Sequence, residues 1–289
     1  SVRAVAGRLL VSVPVSIVLG FVMSNLSSQT SMDSATARAE ASAESAAVRI
    51  NDFVAERRAQ IRSIAQDNVD ELVASDLNSR LVAYYQAQST FDGIQLYDRS
   101  GKLLATSEPG LVLTPTPTGL TFANSLSVET LGPVVRSGPA GLDWILTAPI
   151  AGADSKPQGV VVANVNVAVL GRLLNPYGLD VSTVSDQEMH LINAQHLLLY
   201  SSSWGVAKDA DLIVPKGALT LAAEGPIFEP AMKGGAGATQ MVDYRHHQVF
   251  AGYEPIPDLG WVVVASPDQA NALAPVADHE VVPCRLQGH

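Results

Sequence analysis

A fourteen-residue pattern occurs twice in this chain, and the repeat restricts the fold more than any other feature. Residues 94–107 read IQLYDRSGKLLATS and residues 189–202 read MHLINAQHLLLYSS, aligned without a gap. Each copy is an apolar-alternating strand, a polar turn (Asp98-Arg-Ser-Gly101; Asn193-Ala-Gln-His196) and a second strand, which is a hairpin signature. Each hairpin is followed, after a loop-rich stretch, by a further strand pair. In the first half these strands are WILTAPI (144–150) and GVVVANVN (159–166); in the second they are VFAGYEPI (249–256) and GWVVVAS (260–266). The order predicts an α+β fold with two tandem modules and mainly antiparallel sheets.

With 47% hydrophobic residues but only 6% aromatic ones, Val, Leu and Ala must fill the cores. The net charge of -10 excludes a phosphate-neutralising surface, so nucleic acid is not a partner. The single cysteine, Cys284, excludes an internal disulfide and a cysteine-based zinc site. Ser1 in place of Met marks the chain as a fragment or a processed product.

Residues 9–26 (LLVSVPVSIVLGFVMSNL) carry no charge and follow Arg3 and Arg8. A bilayer span takes about 20 residues, so with its flanks this run is expected to anchor the chain. Its basic side faces inward, which places everything after about residue 27 outside the cytoplasm. The competing expectation is a cleaved signal peptide, with Ala35-Thr-Ala37 as a weak cleavage site.

Residues 30–75 contain neither Pro nor Gly, and Ile50, Phe53, Val54, Ile61, Ile64, Ala65 and Leu72 fall at helical spacing. A stalk helix of more than about 35 residues is predicted, reaching roughly 60 Å over 40 residues. Its early part is mostly Ala and Ser, which suits close approach to a second identical helix or a thin juxtamembrane stem. Residues 76–90 predict a second short helix. Residues 108–140, with five prolines, predict loop, as does the Gly-rich stretch 225–237. The expected division is anchor 1–27, stalk helix 28–75, membrane-distal module 76–174, membrane-proximal module 175–277 and tail 278–289.

An anchor, a long stalk and two hairpin-bearing modules resemble the double-Cache family of bacterial extracytoplasmic sensor domains. The resemblance is carried by FDGIQLYDRSGKLLA from Phe91, by Ala148-Pro-Ile150 with GVVVANV from Gly159, and most specifically by GYEPIPDLGWVVVA from Gly252. It spans about residues 30 to 275. It implies a small-molecule sensor in the bacterial inner membrane, homodimeric through the stalk. The distal module is expected to bind and the proximal one to transmit. The output domain, of chemoreceptor, histidine kinase or diguanylate cyclase type, lies outside this sequence.

The family's amino-acid-binding members carry an Arg-x-Trp-aromatic cluster and an Asp after the Gly-Val-Val run. Here the loop 111–128 has neither Arg nor Trp, and Asn164 stands at the Asp position, so the resemblance does not imply an amino-acid ligand.

Candidate binding residues follow from the strand pattern. Asn164 shares a face with Val160 and Val162, where an amide is costly unless paired. Tyr97 and Trp144 are candidates for flat apolar pocket walls, and each equally suits plain core. Arg136, the only cation between Lys102 and Lys156, is a candidate carboxylate receptor, with Asp143 as its partner or as a residue leading into the strand. The ligand expected on them is small and polar or carboxylate-bearing. The second module, with fewer polar interior candidates, is expected to relay rather than bind. His246-His247 reads as a surface hairpin rather than a metal site, since adjacent strand residues point to opposite faces. No cofactor is called for, and no reactive constellation suggests an enzyme. The rival reading is a scaffold for dimerisation or for a periplasmic protein partner, without a small-molecule pocket.

Overall fold

A computed structural model describes residues 2–67, 76–87, 91–108, 122–137, 141–152, 154–175, 187–204, 213 and 217–269, with side chains from residue 29 onward. The loop segment 109–121, the turn at Pro176 and the tail 278–289 fall outside the described residues.

Helix α1 (Val2–Asp67) is unbroken through its 66 residues. Its buried face changes character along its length. Ala35, Ala39, Ala43, Ala46 and Ala47 come first, then Ile50, Phe53, Val54, Ile61 and Ile64, all below about a tenth exposed. The alanine stretch is a contact within the chain. A Cβ placed on Gly252 would lie 2.2 Å from the Ala39 carbonyl carbon, so helix and sheet meet backbone to backbone. The small-residue stripe is thus already used against the proximal sheet, which the sequence alone left open to a second helix. Each of the larger side chains that follow contributes about 1.5–3 kcal/mol by burial. Among the described residues no helix is long and apolar enough to cross a membrane; the side chains of residues 1–28 are outside that description.

After α2 (Leu77–Ala87) come β1 (Phe91–Asp98), β2 (Leu103–Thr106), α3 (Phe122–Ser125), β3 (Thr130–Leu131), β4 (Val135–Ser137), β5 (Gly141–Asp143), β6 (Ile145–Ala151), β7 (Pro157–Val165) and α4 (Val169–Leu174). The second half holds β8 (Gln187–Ile192), β9 (Leu198–Ser201), α5 (Phe228–Met232), β10 (Gly237–Val242), β11 (Gln248–Ile256) and β12 (Trp261–Pro267). The two main sheets are β2-β1-β7-β6-β3 and β9-β8-β12-β11-β10, the same strand order twice and wholly antiparallel. β4 and β5 form a separate two-stranded hairpin. The loop expected at 225–237 contains α5.

The hairpin turns show why the two copies tolerate different residues. Asp98 Oδ1 accepts the Ser100 and Lys102 amides, and Asn193 Oδ1 accepts those of Gln195 and Leu197. Asp243 repeats the motif with Arg245 and His247. The third residue after each has positive φ: Gly101 (85°), His196 (59°) and His246 (66°). The carboxylate or amide bonding holds the left-handed conformation, so the glycine is dispensable.

Each sheet has two packed faces. In the distal sheet Ile94, Leu96, Leu146, Val161 and Ala163 join the core built with α1. On the opposite face Tyr97, Ile145, Val160 and Val162 cluster with Phe122 and Leu126. β7 is buried from Gly159 to Val165, which accounts for its continuous valine run.

Candidate functional site

The sequence repeat carries through to side-chain chemistry. Gln95 pairs with Thr106 across β1 and β2, and His190 pairs with Ser201 across β8 and β9, each 95 residues on. Their side chains also meet: Gln95 Nε2 donates to Thr106 Oγ1 at 3.3 Å, and His190 Nδ1 lies 3.1 Å from Ser201 Oγ. Ser107 Oγ accepts the Ile94 amide and Ser202 Oγ the Met189 amide, both at 2.9 Å. Ladder register extends the match, since Gly93 opposes Asn164 as Glu188 opposes Ser266. Each module therefore has a polar trio on the sheet face turned away from α1: Gln95, Thr106 and Asn164 in one, His190, Ser201 and Ser266 in the other.

On the distal face Gln95 is wholly buried, and the Tyr97 hydroxyl donates to its Oε1 at 2.7 Å. Burial pushes the Tyr97 hydroxyl pKa up, so it stays a donor. The Tyr97 ring meets Phe122 edge-on at 6.4 Å. Asn164 Oδ1 accepts the Trp144 amide at 2.8 Å, and its Nδ2 donates to Asp143 Oδ1 at 3.2 Å. Asn166 Oδ1 accepts the Ala168 amide at 2.8 Å, capping the turn that follows β7.

The candidate residues do not all converge. Tyr97 and Asn164 share the outer face, and Asp143 joins them through Asn164. Trp144 belongs to the opposite side, its indole 5.1 Å from Trp261 of the proximal module and 6.3 Å from Phe53 of α1. Arg136 is exposed, and its Nη2 donates to the Ala218 carbonyl of the proximal half at 2.9 Å. Both side chains are engaged where the modules meet, so neither walls the distal face. Asp143 and Ile145 both reach the outer face, so strand alternation turns Trp144, between them, to the opposite side. Gln95 went unremarked in the sequence, although its place between the core-facing Ile94 and Leu96 puts it on the Tyr97 face.

The proximal face holds more polar groups than expected. A cavity of about 20 Å³ lies against it, with His190, Ser266, Phe228, Met241 and Tyr244 among its lining. His190 is 3% exposed, and its Nε2 stands 2.8 Å from Ser266 Oγ. Burial lowers its pKa to about 4, and Arg245 adds to the effect, so the ring is neutral near pH 7. Behind it Arg245 bonds both Glu188 and Asp243. Burial pushes Glu188 up. The expectation of a polar-poor second module is corrected: its polar groups lie on β8, on β9 and at the end of β12. Among the described residues no group of His, Cys, Asp or Glu could hold a metal ion. His246 and His247 are exposed turn residues.

A family model described as Cache domain matches residues 24–276. The chain belongs to the Cache domain family. Comparison with curated proteins gives no match. Solved structures of other proteins share the fold. The periplasmic sensory domain of the Campylobacter jejuni chemoreceptor Tlp1 aligns at 11% identity, 86% of this chain and 99% of that one, with a TM-score of 0.61. The ligand-binding domain of the Pseudomonas aeruginosa PAO1 amino acid chemoreceptor PctB, in complex with L-Arg, aligns at 15% identity, 82% and 96% coverage and 0.53. The Vibrio cholerae histidine kinase DctB sensor domain aligns at 11% identity, 79% and 95% coverage and 0.54.

Proposed function

We infer that this Cache chain is the extracytoplasmic sensing part of a transmembrane receptor. A small polar molecule binds on the outer face of the distal sheet, at Gln95, Tyr97 and Asn164, with Asp143 behind Asn164. The observation that carries this reading is Gln95, a wholly buried amide that shares its sheet face with Thr106, Thr147 and Asn164 among valine, isoleucine and aromatic side chains. Its Nε2 and Oε1 are bonded to Thr106 and Tyr97, which offsets the cost of burial and holds the amide in one orientation for a ligand. With Arg136 directed at the Ala218 carbonyl, the face offers amide and hydroxyl groups rather than a cationic clamp, which favours a neutral polar ligand over a carboxylate. That PctB binds L-Arg supports a small-molecule role in general and not that ligand here.

Residues 9–26 serve as the anchor in the bacterial inner membrane, with the chain after about residue 27 outside the cytoplasm. The outward face of α1, where Val48 is 52% exposed, pairs with a second copy. Signal passes from Asn164 through the Trp144 backbone to the Trp144–Trp261 contact and on into the proximal module. The ligand shifts output only as far as its affinities for the two states differ. A cytoplasmic output domain, of histidine kinase, diguanylate cyclase or chemoreceptor type, receives that shift.

Thermal-shift screening of the fragment from Ser28 onward, against neutral polar metabolites and carboxylates, tests the reading. At least one neutral metabolite is expected to stabilise it, and Gln95→Leu to abolish that effect. A protein stabilised by none belongs instead to the scaffold class.

A further inference from the structure

The repeat duplicates the polar positions, but the two modules use them differently. In the distal sheet the Asn164 amide is engaged on both sides, by the Trp144 backbone and by Asp143. Ser266, its counterpart, bonds only the His190 ring and, weakly, the Glu188 carbonyl at 3.4 Å. The shorter serine leaves space above the sheet, and the cavity occupies it. We propose that this cavity is a second small-molecule seat, for an uncharged molecule with a short apolar body and one hydrogen-bonding head, of the alcohol or amide class.

The chemistry of the lining selects that class. His190, 97% enclosed by its 3% exposure, has a serine hydroxyl at each ring nitrogen. A neutral imidazole donates through one nitrogen and accepts through the other, and a hydroxyl does both. Ser266, the serine of this pair that lines the cavity, can therefore turn to meet either a donor or an acceptor without any charge being created. No cation faces the cavity among the described residues: Arg245 lies behind Asp243 and Glu188 and bonds both. Asp243 and Glu224 line the wall, so a carboxylate would enter against like charge. A cationic head gains little, because Asp243 already accepts the Arg245 and His247 amides and the Arg245 guanidinium. Glu224 is exposed and solvated. The remaining walls, Ile192, Val264 and Phe228, are apolar and suit a short carbon chain.

The space now open is about 20 Å³, room for about one water, so occupancy requires a side chain to move. Met241 can do so. Its methyl lies against Gly225, where a Cβ would come within 2.4 Å, and methionine changes rotamer at low cost. α5, a helix of five residues carrying Phe228, closes the other side. Ligand entry would press outward on α5 and Met241, which gives the proximal module an input independent of the distal face.

The test uses the whole protein with its histidine rings isotopically labelled and propionamide as the probe, with propionate and propylammonium as charged isosteres. Concentrations on the order of 10 mM are needed, since so small a ligand has few atoms with which to bind. Propionamide is expected to shift the His190 ring resonances and raise the unfolding temperature, and the two charged isosteres to do neither. Ser266→Ala should weaken propionamide binding about three- to tenfold, the loss of one hydrogen bond. Ala251→Leu, which fills the cavity, should abolish binding. Gln95→Leu should leave it unchanged, which separates this seat from the distal one. Absence of a His190 shift, equal binding of either charged isostere, or indifference to Ser266→Ala would overturn the proposal.

Discussion

Gln95 and His190 occupy the same station in two sheets: each is buried, each pairs across its hairpin with a hydroxyl residue, and each faces away from α1. The amide brings the Tyr97 hydroxyl to 2.7 Å, whereas the imidazole brings Ser266 to 2.8 Å. One repeat has thus produced two polar faces of different chemistry, and their consequences can be measured separately.

The Tyr97 hydroxyl holds the Gln95 amide in place. Tyr97→Phe is expected to leave Gln95 Oε1 short of this donor and to cost about 1–3 kcal/mol of unfolding free energy. Denaturant unfolding of the variant beside the parent protein checks it, and an unchanged midpoint would show that the bond contributes nothing.

Gly252 sets the distance between α1 and the proximal sheet. Gly252→Ala would push a methyl into the Ala39–Glu40 peptide, where the nearest atoms stand at 2.2–2.4 Å. The expected loss is about 1–3 kcal/mol or more, as for overpacking of a tight core. Thermal unfolding should show this, and amide exchange should show faster opening around Ala39.

Stability should depend on pH through His190. The folded protein keeps this ring neutral down to about 4, while the unfolded chain protonates it near 6.5. Between those values the unfolded state binds the additional proton, so the contribution is complete above 6.5 and is lost as pH falls toward 4. The full effect is on the order of 3 kcal/mol. Glu188 acts in the opposite sense, since burial raises its pKa and its contribution is lost as pH rises. Comparing the parent protein with His190→Gln isolates the histidine term: the variant should lose stability less steeply over pH 7 to about 5.

Arg136 bonds the Ala218 carbonyl of the second half. Arg136→Ala is expected to cost about 0.5–1.5 kcal/mol of stability, one hydrogen bond to Ala218, with distal ligand affinity changed less than about twofold. A large loss of affinity would return this residue to the binding face.

The sequence revealed the elements well because each was written locally. The repeat gave both hairpins, the Pro- and Gly-free stretch gave α1, and the doubly buried β7 and β12 left uninterrupted valines. The site was less legible because face assignment depends on register. Trp144 lies one residue outside β6, and its orientation could not be fixed until the ladder was known. Gln95 was hidden by its neighbours, since one amide between Ile94 and Leu96 reads as ordinary alternation. His190 is concealed in the same way, between the core-facing Met189 and Leu191 of β8. The role of the alanine stripe was equally out of reach, because it depends on Gly252, more than two hundred residues away.

The central claim is that the distal outer face binds the signal molecule, and calorimetric titration of the stabilising metabolite into three proteins tests it most directly. The parent protein and His190→Gln should bind with the same affinity. Gln95→Leu should bind at least about tenfold more weakly, the equivalent of 1.4 kcal/mol. Equal affinity for the Gln95→Leu and parent proteins, or a loss confined to His190→Gln, would contradict the account and move the sensing site to the proximal module.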